Sequence, residues 1–428
     1  MFPLPAHPTP TPPTAEANSL TLMLTPVETA IARLHELANI SESPTHLVRT
    51  FLSPANQQAA AKILEWMSAL SMETCQAPDG TVRGILPGKN PEERPLLLGS
   101  HYDTVIDAGR YDGALGIIAA LAALETLVED EVTLSYPIHL LAFSDEEGTR
   151  FQTTYLGSRS IIAPLDPETL AAKDSSGITV QQALACESPN PLAPPIHYSP
   201  GECQGYVELH IEQGRVLEEA NEPACVVTSI AGQSRLSVTL TGRADHAGTT
   251  PMPLRRDALT GAAACILAAE TLAQASPPLV ITVGKIQIHP GASNSIPQTA
   301  TFTIDLRHSD DESRQSALTQ LHESYLCIAD ERHLQLHWQL IQDNNATPCD
   351  PSLTNALLHS LTTITGSTLT LPSGAGHDGV VISKVCPIAM LFIRCRDGLS
   401  HHPDEHATPE DIATGIHILT HFLKSQPA

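Results

Sequence analysis

Two short, uninterrupted apolar runs, RPLLLGSH at 94–101 and PIHLLAFS at 137–144, enclose an Ala/Leu/Ile-rich stretch, DGALGIIAALAALETL, at 112–127. A strand with one wet face alternates apolar and polar residues, whereas a strand apolar throughout must be covered on both sides. This strand, helix, strand texture therefore calls for a largely parallel sheet with helices on both faces. Apolar residues at spacings of three and four in ETAIARLHELANI and QQAAAKILEWMSAL predict helices ahead of it. Between about residues 230 and 344 the texture changes to the alternating strand RLSVTLTGR, a long Ala-rich helix, ITVGKIQIH, QTATFTIDLRH, a second helix and HLQLHWQLI. The order β-α-β-β-α-β is that of a ferredoxin-like unit, complete in itself. After it, SLTNALLHSLTTITG and PIAMLFIRC restore the first texture. The expectation is an α/β unit made of residues 25–229 and 345–428, interrupted by an inserted α+β domain at 230–344.

Charge narrows the partners. The chain has 47 acidic residues against 23 Lys and Arg, a formal charge of −24. Such a field repels phosphate backbones and anionic headgroups, so neither nucleic acid nor a membrane surface is an expected partner. A small anionic substrate would need a local cationic site. No run of 18 uninterrupted apolar residues is present, which argues against a membrane span. The nine cysteines are scattered, odd in number and without a CxxC pair, as expected of reduced thiols in a cytoplasmic protein. Residues 1–24 are rich in Pro and Thr and lack the basic start and apolar stretch of a secretory signal, so they read as a disordered tail.

Four clusters sit where open α/β sheets gather ligands, just after an apolar strand or at the head of a helix. In GSHYDTV, His101 and Asp103 are two residues apart and share a face in extended backbone, so Asp103 can take the second ring N–H of His101. In GRYDGALG, Asp112 stands before a helix, either as a plain N-cap or as a ligand. FSDEEGTRF places Asp145, Glu146 and Glu147 in succession, a repulsive run that belongs in a solvated loop or against cations. GLSHHPDEHA carries His401, His402 and His406, of which the SHxPxE register favours His401. A dinuclear hydrolytic site needs imidazole and carboxylate ligands for two cations, one bridging carboxylate and a free carboxylate as base. His101, Asp112, Glu147 and His401 can supply ligands, Glu146 the base, and His210 of VELHIEQG is the best remaining ligand.

The segments GSHYDTV, YDGALG, DEEGTRF, HIEQG, GRADHAGTTPM, GASNSIPQ, DLRH, GAGHD and GLSHHPDE follow one another in the order of the M20 metallopeptidase superfamily, which the chain resembles from about Thr25 to its C-terminus. HIEQG, with a His where peptidase members carry an acid, resembles the hydantoinase/carbamoylase branch. Within that branch DTVIDAG and MLFIRCRDGLSHHPDE are most similar to the allantoate amidohydrolases. The resemblance implies a dinuclear-metal, aminopeptidase-like catalytic domain with a ferredoxin-like lid and dimerisation domain. It implies two divalent ions per subunit, Zn²⁺ or Mn²⁺, bridged by Asp112, with His101 and His210 on one and Glu147 and His401 on the other. Glu146 becomes the general base and Asp103 the residue that orients His101.

For the inserted domain the resemblance implies that His246 donates to the oxyanion, reaching the partner's site in a homodimer formed through 230–344. Asn294 and Arg307 are expected to contact the amide and carboxylate of a small anionic substrate, with Gln213 and His377 holding its ureido group. The implied reaction is hydrolysis of a ureido C–N bond, with allantoate giving a ureidoglycine, ammonia and carbon dioxide. An N-carbamoyl-L-amino-acid hydrolase or β-ureidopropionase is the alternative on the same scaffold. A catalytically inactive dimeric binding protein is the alternative of another class.

Overall fold

The computed structural model describes residues 24–426, so the expected tail lies outside the described residues except for Leu24. Fourteen strands make two sheets among these residues. The first sheet begins with β1 (Glu73–Gln76), β2 (Val82–Leu86), β3 (Leu96–His101), β4 (Ile138–Phe143), β5 (Gly205–Ile211) and β6 (Ala224–Ile230). The second holds β7 (Gly232–Thr241), β8 (Val280–Thr282), β9 (Ile286–His289), β10 (Thr299–His308) and β11 (Gln335–Asn344). The chain then returns to the first sheet with β12 (Thr347–Pro348), β13 (Thr370–Ser373) and β14 (Ile388–Ile393).

The first sheet runs β1-β2-β4-β3-β5-β14-β6-β12, with β13 also beside β6. Its centre, β4-β3-β5-β14, is parallel, as continuous apolar strands require, while β1, β2 and the β14–β6 pair are antiparallel. Every residue of β3, β5 and β14 is buried. On one face pack the helices Ala114–Glu129 and Pro409–Ser425. The latter presents Ile412, Ile416, Leu419 and Leu423 at spacings of three and four, and Thr408 caps its start by accepting the Asp411 N–H. The other face is a separate cluster that includes Phe143, Tyr206, Ile382 and Phe392. All four central strands point their carboxyl ends the same way, which brings the ends of β3, β4, β5 and β14 to one edge.

The second sheet runs β11-β7-β10-β8, wholly antiparallel, with β9 also on β10, which is the ferredoxin-like order. ITVGKIQIH, read above as one strand, is two: the ladder breaks at 283–285, around Gly284. Along β7 burial alternates, with Leu236, Val238 and Leu240 in a core beneath the helices Ala258–Ala275 and Asp311–Glu331. The helix Ala258–Ala275 is, among the described residues, the one helix long and apolar enough to cross a membrane, with mean hydropathy 1.3. Here it lays Ala258, Ala262, Cys265 and Ala269, spaced four, three and four, against the sheet. All nine cysteines are free.

Candidate metal centre

The carboxyl edge of the first sheet collects the acids and imidazoles. His101 ends β3, Asp145–Glu147 follow β4, His210 lies near the end of β5, and β14 leads on to His401. Asp112 is not an N-cap. The residue before the helix is Gly113, at φ 67° and ψ −56°, and no side chain caps that end. The Asp112 carboxylate is therefore free to face the histidines. Its Oδ1 lies 3.1 Å from His210 Nε2 and 3.6 Å from His101 Nε2, while its Oδ2 lies 3.2 Å from His401 Nε2. Glu147 Oε1 is 3.3 Å from His401 Nε2. Donor atoms of His101, Asp112 and His210 all fall within 4.8 Å of one another, and so do those of Asp112, Glu147 and His401. Two triads thus share one carboxylate, each served by a different oxygen.

Gly113 is required at the junction. A Cβ there would lie 2.4 Å from the His101 ring, and the positive φ is unfavourable to any other residue. Gly113→Ala is expected to destabilise the fold by more than about 1 kcal/mol and to displace His101. A lowered Tm together with reduced bound metal on elemental analysis checks this.

The imidazoles are oriented from behind. His101 Nδ1 lies 3.3 Å from Asp103 Oδ1 and 3.2 Å from the Asp103 carbonyl, and His210 Nδ1 lies 2.9 Å from the Ile211 carbonyl. An N–H on each Nδ1 leaves the lone pair on Nε2, toward Asp112. Asp103 also accepts the backbone N–H groups of Glu146, at 2.9 Å, and Glu147, at 3.2 Å, so one buried carboxylate ties β3 to the acidic turn. Asp103→Asn is expected to weaken metal affinity or activity about 10–100-fold, read by metal titration of the variant.

The acidic run is not a solvated loop: Asp145 and Glu146 expose only 1% and 8% of their surface. Burial lifts Glu146 well above the usual carboxylate range, with repulsion from Glu147, Asp378 and Asp103 adding to it against the pull of His101. Burial pushes the Asp112 carboxyl up too, yet its bonds with His101, His210 and His401 hold it well below that range. Asp112 and Glu147 raise His401 to about 10. Oε1 of Glu147 is buried with no hydrogen-bond partner. The mixed imidazole and carboxylate donors of the cluster suit divalent Zn²⁺ or Mn²⁺.

Between this edge and the second sheet lies a cavity of about 630 Å³, lined among others by Glu146, Tyr155, Gln213, Arg235 and Arg307. Gln213 Nε2 donates to Asp112 Oδ2 and Ser400 Oγ at 3.1 and 3.0 Å. Arg307 projects from β10 into the cavity wall. His377 is placed differently from expectation. It packs edge-on behind the His210 ring at 4.6 Å, with its Nε2 2.9 Å from Ser373 Oγ, and does not line the cavity. The residue expected to hold the ureido group thus stands behind His210. His246 and Asn294 lie beside each other, His246 bridging to Ser295, and line no part of this cavity. Neither shares the cavity with His101, Asp112, His210 and His401.

Three groups at the site, buried Glu405 and Glu208 and half-buried Ser400, went unread in the sequence. Glu405 accepts the backbone N–H groups of Tyr111 and Asp112 at 2.8 and 3.1 Å, and Ser400 Oγ donates to Asp112 Oδ2 at 2.9 Å. Glu208 lies beneath His210, accepting from Ser100 at 2.9 Å and Tyr206 at 3.0 Å. Ser400 and Glu405 are the first and last residues of the SHHPDE segment, so that register was their only signal.

The shared carboxylate between two triads, on this sheet and with this insertion, coincides with a family match over residues 97–425 to the peptidase family M20/M25/M40. The chain belongs to that family. An allantoate deiminase of Arabidopsis thaliana is 42% identical over 430 residues, covering 93% of this chain and 82% of that protein. An N-carbamoyl-L-amino acid amidohydrolase of Geobacillus stearothermophilus is 37% identical over 393 residues, covering 91% and 96%. The crystal structure of a hydantoinase/carbamoylase family amidase from Burkholderia multivorans superposes with a TM-score of 0.86 at 30% identity, covering 93% and 97%.

Proposed function

We propose that this M20 chain is a dinuclear-metal amidohydrolase that cleaves a ureido C–N bond, with allantoate as its substrate. The observation that carries the reading is the Asp112 carboxylate, one oxygen toward His101 and His210 and the other toward His401, with the buried Glu146 at the cavity wall beside it. His101 and His210 would hold one cation, Glu147 and His401 the other, and Asp112 both. Bound there, two such ions would supply Lewis acidity toward a carbonyl and would lower the pKa of water toward neutrality. Glu146 takes the proton of the attacking water and hands it to the departing nitrogen. Arg307 receives the substrate carboxylate, and Gln213, fixed between Asp112 and Ser400, lies where a ureido group meets the acids.

The choice of allantoate rests on the cavity wall. Allantoate carries two ureido arms on one carboxylate-bearing carbon, so the arm that does not react needs polar partners. The second sheet offers Gln233, Arg235, Gln342 and Asn344 there, a wall of amides and a guanidinium that suits a ureido arm better than an aliphatic side chain. The curated relatives named for allantoate and for N-carbamoyl-L-amino acids support the same pair of substrates. A panel of allantoate, N-carbamoyl-β-alanine and N-carbamoyl amino acids, run with Mn²⁺ and with Zn²⁺, tests the choice. Allantoate is expected to be turned over fastest; activity on N-carbamoyl amino acids with none on allantoate overturns it.

Residues 230–344 are proposed to act as a lid and as the contact of a homodimer. Two features support this. The edge strand β9 is exposed along its length, including Ile286 and Ile288, and Leu267 on the helix Ala258–Ala275 is 61% exposed. His246 and Asn294, which do not line the cavity of their own chain, would then serve the partner's site, His246 as donor to the oxyanion. A solution mass of one chain at micromolar concentration would contradict the dimer. The nine free thiols support a reducing, cytoplasmic setting.

A further inference from the structure

Side chains alternate along β10, so Asp305 and Arg307 emerge together on the face of the second sheet turned to the cavity, while Ile304 and Leu306 enter its core. Asp305 is engaged from several directions. Its Oδ1 accepts Arg307 Nε–H at 2.7 Å. Its Oδ2 accepts Arg307 Nη2–H at 3.0 Å, Gln233 Nε2–H at 2.8 Å and Arg235 Nε–H at 3.2 Å. One carboxylate thus organises three cavity-lining side chains from two neighbouring strands. Arg307 Nη1 makes a further bond, to the carbonyl of Gly374 just after β13, at 2.6 Å.

These contacts use three of the five guanidinium N–H groups. The two left over sit one on each terminal nitrogen, available to the oxygens of a substrate carboxylate. Without Asp305 the long Arg307 side chain would have other anions within its cavity, since Glu146 and Glu147 line the same space. An arginine drawn onto the acidic cluster would no longer present its fork to a substrate. Asp305 answers this by holding the Nε and Nη2 edge of the guanidinium against its own strand, with Arg307 still lining the cavity.

We propose that Asp305 is a positioning residue for substrate recognition: it presets Arg307, with Arg235 and Gln233 beside it, to receive the carboxylate of the ureido acid. The proposal rests on the ureido-acid reading above. It is tested with the metal-loaded full chain by comparing Asp305→Asn with wild type on two substrates, the ureido acid and its carboxamide counterpart. For the acid, KM is expected to rise about 10–100-fold in the variant, the effect of losing a charge-assisted bidentate contact, with kcat within about threefold of wild type. For the carboxamide, kcat/KM is expected to stay within about threefold, so discrimination between acid and amide collapses. Asp305→Asn added to Arg307→Lys is expected to raise KM no further than Arg307→Lys alone.

Equal losses on acid and amide, an unchanged KM for the acid, or full additivity with Arg307→Lys would overturn the proposal. Should Asp305→Asn fail to fold, as read by its melting curve, Asp305→Glu carries the test. It keeps the charge but moves it by one methylene, so an intermediate rise in KM supports the proposal and a wild-type KM overturns it. Wild-type protein inactive on every ureido acid overturns the ureido-acid reading and this proposal with it. Active wild type beside an unaffected variant overturns this proposal alone.

Discussion

Glu146→Gln is expected to leave bound metal unchanged and to lower kcat about 10²–10⁴-fold, the range general acid–base catalysis supplies. Glu146 is the one acid of the buried run that lines the cavity without belonging to either of the triads built on Asp112. Its neighbours explain its fitness as a base. Burial and the nearby charges of Glu147, Asp378 and Asp103 raise its proton affinity, so it takes a proton more readily than an exposed glutamate. Glutamine keeps the size and hydrogen-bonding reach of the side chain but cannot accept a proton. KM should therefore change little. A variant that loses metal along with turnover would mean that Glu146 is a ligand instead.

The second large effect is expected at Asp112. Asp112→Asn should reduce metal content below one ion per chain and cut activity by about 10³-fold or more, since several kcal/mol of transition-state stabilisation depend on a bridged pair of ions. The reason is geometric: both carboxylate oxygens are committed, Oδ1 toward His101 and His210 and Oδ2 toward His401. An amide offers one oxygen to two sites and turns N–H groups toward the other. Glu405 and Ser400 hold the Asp112 segment in place, so the expected loss is of metal more than of fold. Measuring Tm beside metal content separates the two.

Much of this was legible in the sequence because strand ends announce themselves. The apolar runs that become β3, β4, β5 and β14 end at or next to the chemical residues, and a parallel sheet brings such ends to one edge. The alternation of RLSVTLTGR likewise marked the start of a sheet with one wet face, later seen in β7. What could not be read was depth and direction. His377 stands in a glycine-rich segment like a cavity residue, yet the turn after β13 carries it behind His210, where Ser373 occupies its Nε2. The run Asp145–Glu147 has the composition of a wet loop, and only the fold shows Asp103 accepting its backbone N–H groups and holding it inside. His246 and Asn294 lie in loops after β7 and β9, and motif order along the chain says nothing of distance across a cleft. Glu405 and Glu208 act through contacts between segments far apart in sequence, with Tyr111 and with Ser100, that no local pattern encodes.

The central claim, that one carboxylate holds two catalytic ions in this fold, is tested most directly by stripping the protein with a chelator and titrating Mn²⁺ or Zn²⁺ back while counting bound ions and turnover together. The account predicts two ions per chain, with activity on the ureido acid reaching its plateau only as the second is bound. A plateau at one ion per chain, or turnover that persists in the stripped protein, would contradict it.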